Sequence, residues 1–307
     1  MTSEFRPSRR FPAESTGGTE PLTSSARTSR VAVMRLPEEL TLPESMVPEE
    51  TADPPVTPRD AATVVLLRDG STGPEVFLQR RVRGMPFAGG MTAFPGGGVD
   101  SRDSETSIAW RGPGPDWWAR RFACDPRAAR ALVCAAVRET FEEAGVLLAG
   151  ESDDRVVSDT ARYDAERRAL VAKELSLSEM LRRHRLVLRA DLLVPWSNWV
   201  TPEVEPRRYD TRFFLTTVPG GQRADARTGE AAEAYWRAPL EALADWRAGR
   251  NGLLPPTWVT LSELAEYDDA AMALTAERSI DKVVPKVVRQ DGAWRVVLPD
   301  RQVPEGQ

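Results

Sequence analysis

Three features of the 307-residue sequence predict an α/β or α+β fold. Short β-branched apolar runs are interleaved with amphipathic helical stretches instead of clustering apart. One alanine-rich stretch carries both a helix start and a helix stop signal. Hydrophobic residues make up 41% and charged residues 28%, enough apolar matter for one large domain or two small ones.

Residues 1–57 are rich in Pro, Ser, Thr and Arg and hold no sustained apolar period, so a disordered tail is expected ahead of a domain over 58–303. AATVVLLRD (61–69) and PEVFLQRRV (74–82), joined by GSTG, form a hairpin pattern. A glycine-rich run follows and ends at Asp100. Residues 101–124 are polar and punctuated by Gly and Pro, with a short helix expected around Asp116–Phe122. Asp125 as N-cap and Pro126 at the first helical position open a helix over RAARALVCAAVRETFEEA, and Gly145 suits its left-handed end. Residues 155–186 read as one or two amphipathic helices, and RADLLVPWSNWVTP and YDTRFFLTTV as strands. EAYWRAPL reads as a strand entering a helix. Across 251–303 the pattern is a helix, PTWVTLSELAEY, and a hairpin turning at Asp291-Gly292.

Composition narrows the chemistry. A formal net charge of -5 argues against a general nucleic-acid binder but permits a local basic pocket. The two cysteines, Cys124 and Cys134, suggest reduced thiols at a core helix, not a disulfide framework or a thiolate zinc site. His184 is the only histidine and lies in the charged run LRRHRL, so acid-base or metal work falls mainly to carboxylates. No stretch reaches the ~20 apolar residues of a membrane span, and no hydrophobic signal core opens the chain, so a cytoplasmic location is expected.

Arg138-Glu139-Thr140-Phe141-Glu142-Glu143-Ala144-Gly145-Val146 carries the strongest signal. Glutamates at i, i+3 and i+4 share one helix face, where like charges repel. Glu142 and Glu143 also occupy the last turn, where the helix dipole is negative and a structural helix would prefer Lys or Arg. Taken alone, the arrangement is either a solvated acidic helix end or a cluster of hard oxygen ligands for Mg²⁺ or Mn²⁺.

This stretch resembles the second half of the Nudix box, G-x5-E-x7-R-E-U-x-E-E-x-G-U, with Thr140 departing from its aliphatic or aromatic U position. Phe94-Pro95-Gly96-Gly97 resembles the glycine-rich opening, with Asp100 as the acidic residue that often follows. From the motif glycine to its arginine the family pattern takes 14 residues, whereas Gly97 and Arg138 are 41 apart, an insertion of 27. The pattern's first glutamate then has no assigned counterpart, and Asp103 and Glu105 are the two candidates. The insertion, WVTP (199–202), RRYDTRFFL (207–215) and LPPTWVTLSEL together resemble the insertion-bearing branch of peroxisomal-type coenzyme A diphosphatases. The chain ends PEGQ, without an SKL-type signal.

The resemblance implies a mixed β-sheet between helices and a metal-dependent diphosphohydrolase. Glu139, Glu142 and Glu143 would hold Mg²⁺ or Mn²⁺, and Arg138 would orient the glutamates. Glu142 or a loop carboxylate such as Glu230 would accept the proton of the attacking water. Gly97, Arg81 and Arg208 are the expected substrate contacts, with Arg80, Arg207 and Arg212 as further phosphate-binding candidates. Trp117, Trp118, Trp196 and Trp199 either stack an adenine or fill the core, and residues 101–124 are expected to line the pocket. The implied partner is a nucleotide or coenzyme A substrate, with no nucleic acid and no membrane, and a homodimer is allowed. Rival readings are a Nudix hydrolase of ADP-ribose, a dinucleotide or an oxidised nucleotide, and a non-catalytic Nudix-like ligand sensor.

Overall fold

A computed structural model of the chain describes residues 41–42, 54–84, 88–152, 155–227, 229 and 231–298. In chain order the elements are β1 (Thr41–Leu42), β2 (Arg59–Asp69), β3 (Pro74–Arg81), β4 (Thr92–Ala93), β5 (Gly96–Gly98), β6 (Trp110–Arg111), α1 (Pro115–Phe122) and α2 (Pro126–Ala144). Then come β7 (Ala149–Ser152), β8 (Arg155–Val156), α3 (Asp164–Val171), α4 (Leu177–Arg183), β9 (Val187–Arg189), β10 (Val194–Val200) and β11 (Tyr209–Thr217). The rest are β12 (Ala231–Arg237), α5 (Pro239–Arg247), α6 (Pro255–Leu264), α7 (Ala270–Leu274), β13 (Lys282–Val283), β14 (Lys286–Gln290) and β15 (Ala293–Val297).

The central sheet is mixed, as expected, in the order β12-β3-β2-β11-β10-β13, with β4 on β3 and β5 on β2. Strand β2 is apolar on both faces because both are covered. Ala62, Val64 and Leu66 join the cluster built with α1 to α4, whereas Val65 and Leu67 join the one built with α5, α6 and α7. The sheet is thus the middle of three layers. Two smaller sheets, β6-β9-β7-β8 and β1-β15-β14, lie off this path.

Towards one end β2 and β3 separate, and the chain between them returns through the gap. Gln79 pairs with Ala93, and Ala62 pairs with Gly97, so the glycine loop is hydrogen-bonded to both strands. Above that gap lies α2. Its Asp125 side chain accepts from the Arg127 and Ala128 amides, Pro126 occupies its first turn, and Gly145 closes it at φ 67°. Thr140 is fully buried and donates its hydroxyl to the Ala136 carbonyl at 2.7 Å, which satisfies a polar group at an otherwise apolar position.

Most of residues 1–57 lie outside the described residues. Within that span Thr41–Leu42 pair with β15, and the Val56 carbonyl accepts from Arg208.

Candidate active site

The site begins with a buried cation. Arg138 donates through Nε and Nη2 to Asp103, at 3.0 and 2.9 Å. Its Nη1 reaches Glu139 at 2.7 Å and Glu142 at 3.3 Å, and its Nη2 also donates to the Gly98 carbonyl at 2.9 Å. One guanidinium therefore faces three carboxylates and the glycine loop. Burial works against its charge, but the Asp103 hydrogen bonds and the nearby Glu139 and Asp103 charges outweigh that and raise its pKa above the usual arginine value. Glu139 behaves oppositely: burial pushes its carboxyl up to about 7, and the Glu142 charge adds to the rise while Arg138 opposes it.

The glycine loop meets these glutamates directly. The Gly96 amide donates to Glu143 at 2.9 Å. A Cβ on Gly97 would stand 2.5 Å from Oε1 of Glu139, so the absence of a side chain there makes room for that carboxylate. Gly97, expected as a substrate contact, is placed against Glu139.

Asp103 is the residue that sequence reasoning left undecided. Asp100 and Asp103 form a reciprocal capping box on a single 3₁₀ turn, Ser101–Ser104, at the start of the insertion. That turn points the Asp103 carboxylate at Arg138 and leaves it 4% exposed. The D-x-x-D spacing was the available signal. Glu105, the other candidate, binds Ser107 and Ser178 instead.

The arginines are dispersed. Arg80 pairs with Glu233 at 2.8 Å, and Arg207 is exposed. Arg208 departs from the expected substrate contact: its side chain is buried and donates to the Thr201 and Val56 carbonyls. Arg212 is buried between Asp60 and Asp210, at 2.6 and 3.0 Å. The buried Nε atoms of both Arg81 and Arg212 have no hydrogen-bond partner among the described residues. Glu230 lies outside the described residues.

The expectation that the insertion lines the pocket is not met by Trp118 and Phe122, while Trp117 is half-buried edge-on to Trp118. Trp118 and Phe122 are buried, stack on each other with centroids 5.8 Å apart, and both pack on Phe214. Trp196 and Trp199 are core residues on the other sheet face. Two cavities, of about 340 and 260 Å³, contain no residue of 101–124 in their linings. Apolar burial has claimed these rings.

The donor set suits a hard divalent cation, since three carboxylates, those of Asp103, Glu139 and Glu142, surround a single guanidinium. As the side chains stand, no three His, Cys, Asp or Glu groups among the described residues are gathered tightly enough to hold an ion. Arg138 lies between Glu139 and Glu142, and Glu143 is drawn to Gly96.

The NUDT19 Nudix domain family model matches residues 125–264, beginning at the N-cap of α2. The acyl-coenzyme A diphosphatase NUDT19 of Xenopus laevis is 26% identical over 231 residues, covering 63% of this chain and 60% of that protein. Its Gallus gallus namesake is 31% identical over 238 residues, covering 62% of this chain and 61% of that protein. The match thus spans about three fifths of the length of those relatives. The crystal structure of a Nudix hydrolase from Alicyclobacillus acidocaldarius is similar at 29% identity and a TM-score of 0.62, covering 73% of this chain and 99% of that one. Through the matching domain model, the related fold and the glycine loop meeting the glutamate helix, this chain is similar to Nudix hydrolases.

Proposed function

We propose that the protein hydrolyses a diphosphate linkage in a nucleotide-type substrate, with coenzyme A or an acyl-coenzyme A as the first candidate. The observation that carries this reading is the face where Glu139, Glu142 and Glu143 meet Gly96–Gly98 around the buried Arg138. The coenzyme A preference is supported by the similarity to the acyl-coenzyme A diphosphatases of Xenopus laevis and Gallus gallus, whose activity is their own. No described helix is long and apolar enough to cross a membrane.

Nudix hydrolases generally use divalent metals, and Glu139, Glu142 and Glu143 are the residues that would hold Mg²⁺ or Mn²⁺ here. Such a cation would supply charge neutralisation at the diphosphate oxygens and a more acidic water. The chain's own contributions are distinct. Arg138 orients Glu139 and Glu142 through charge-assisted hydrogen bonds. The Gly96 amide fixes Glu143. Glu142, the most exposed of the carboxylates touching Arg138, is the group we assign to accept a proton from water at its carboxylate oxygen. Arg81, whose Nε has no hydrogen-bond partner among the described residues, and the exposed Arg207 are the arginines we assign to meet a phosphate.

A panel of coenzyme A, acetyl-coenzyme A, ADP-ribose, a dinucleoside polyphosphate and an oxidised nucleotide, assayed with Mg²⁺ or Mn²⁺ and resolved by chromatography, tests the reading. Glu142→Gln and Glu143→Gln should each fold and lose on the order of 10²-fold or more in turnover. Unchanged turnover in both, or no hydrolysis of any member by the wild type, would sink it. In the second case a ligand-sensing role becomes the better account.

A further inference from the structure

A helix ends with four carbonyls that lack intrahelical partners, and α2 ends with two glutamates and no basic residue in its last turn. All four carbonyls are nevertheless satisfied. Gly145 donates its amide to Phe141, at 3.0 Å, and Asp225 donates its amide to Ala144, at 2.9 Å. The two between them, on Glu142 and Glu143, accept from Nε and Nη2 of Arg167, at 3.0 and 3.2 Å.

Arg167 comes from α3 and is 6% exposed. Its Nη1 donates to the Asp225 carboxylate at 2.6 Å. Asp225 lies on the loop after β11, and that loop is tied down by Gln222, which exchanges two hydrogen bonds with Leu147 and donates to the Val157 carbonyl. Gly145 admits the guanidinium: a Cβ there would meet Nη1 of Arg167 at 2.7 Å. The motif glycine thus serves the helix end twice, through its positive φ and through the space it leaves.

We infer that Arg167, braced by Asp225, is a positioning residue for Glu142 and Glu143. It supplies from another helix the positive charge that the end of α2 lacks, and it grips the backbone of both glutamates with one planar fork. Lysine's three donors radiate from one nitrogen, so they cannot span acceptors that the three separate guanidinium nitrogens reach. The side chains of Glu142 and Glu143 leave from that gripped backbone, so their aim depends on it. This inference rests on the hydrolase reading above.

Arg167→Lys, Arg167→Met and Asp225→Asn should be assayed beside the wild type with the substrate it turns over. Arg167→Lys and Arg167→Met should lower kcat by about 10- to 100-fold with KM within about twofold, because a misplacement of order 1 Å in the reacting groups costs that much. Asp225→Asn should fall in between. Amide exchange across residues 142–146 of the folded, metal-free variants should accelerate, while exchange in the first turns of α2 stays unchanged. Wild-type kcat in both Arg167 variants, or a lowered melting temperature with kcat intact, would overturn the inference. If Arg167→Met does not fold, Arg167→Lys and Asp225→Asn carry the same measurements. If the wild type hydrolyses nothing, the hydrolase reading fails, and unchanged exchange at 142–146 would separately remove the clamp.

Discussion

Three adjacent glycines, Gly96, Gly97 and Gly98, should respond differently to the same added methyl group. On Gly96 the methyl would lie 2.5 Å from the Ala62 carbonyl oxygen and 2.7 Å from Thr63 Cα. Those are backbone atoms of β2, so Gly96→Ala should cost stability, on the order of 1–3 kcal/mol, by prising β5 from β2. On Gly97 the methyl would sit 2.5 to 2.7 Å from all three terminal atoms of Glu139, where ordinary contact begins near 3.4 Å. The carboxylate must then move by about 1 Å, away from an Arg138 bond of 2.7 Å. A shift of that size should cost on the order of 10²-fold in kcat, with a smaller loss of stability than Gly96→Ala. On Gly98 the methyl meets nothing within 4 Å, and φ is not positive, so Gly98→Ala should be silent or slightly stabilising. Steady-state kinetics and thermal melting of the three variants decide the matter. Wild-type kcat in Gly97→Ala, or equal damage from Gly98→Ala, would refute the steric reasoning.

Burial pushes the Cys134 thiol up to about 12, so native protein at pH 8 should resist iodoacetamide there while denatured protein reacts fully. The folded thiol titrates above its ordinary value of 9.0, so its contribution to stability is complete below that pH and declines as pH rises towards 12. Prompt labelling of both cysteines in the native state would contradict this packing. Trp118→Ala should remove about 3–5 kcal/mol in urea denaturation with near-normal kinetics in the folded fraction, and an unchanged midpoint would show that the ring is not a core element. Asp103→Asn strips a buried arginine of its charge partner while Glu139 and Glu142 remain, so a loss of about 2 kcal/mol and a reduced kcat are expected. Stability and turnover both at wild-type levels would show that Arg138 needs no anchor from the insertion.

Local chemistry in the sequence was enough to define much of this protein. Asp125-Pro126 and Gly145 bound α2 because a capping side chain and a left-handed glycine act within a few residues of themselves. The turn at Asp291-Gly292 forms with positive φ at both residues, as its dipeptide suggests. Glutamates at i, i+3 and i+4 share a face by helix periodicity alone. Strands of two residues, such as β6 and β8, offered no period to detect. Periodicity also names the face of an element without naming what lies opposite. The partners of Arg138 and of the α2 carbonyls come from Asp103, 35 residues upstream, and Arg167, 24 and 25 residues downstream. Tertiary packing alone sent Arg208 and Arg212 to buried carbonyl and carboxylate partners. A buried guanidinium must find acceptors wherever the chain places them, and which acceptors those are depends on contacts between segments far apart in sequence.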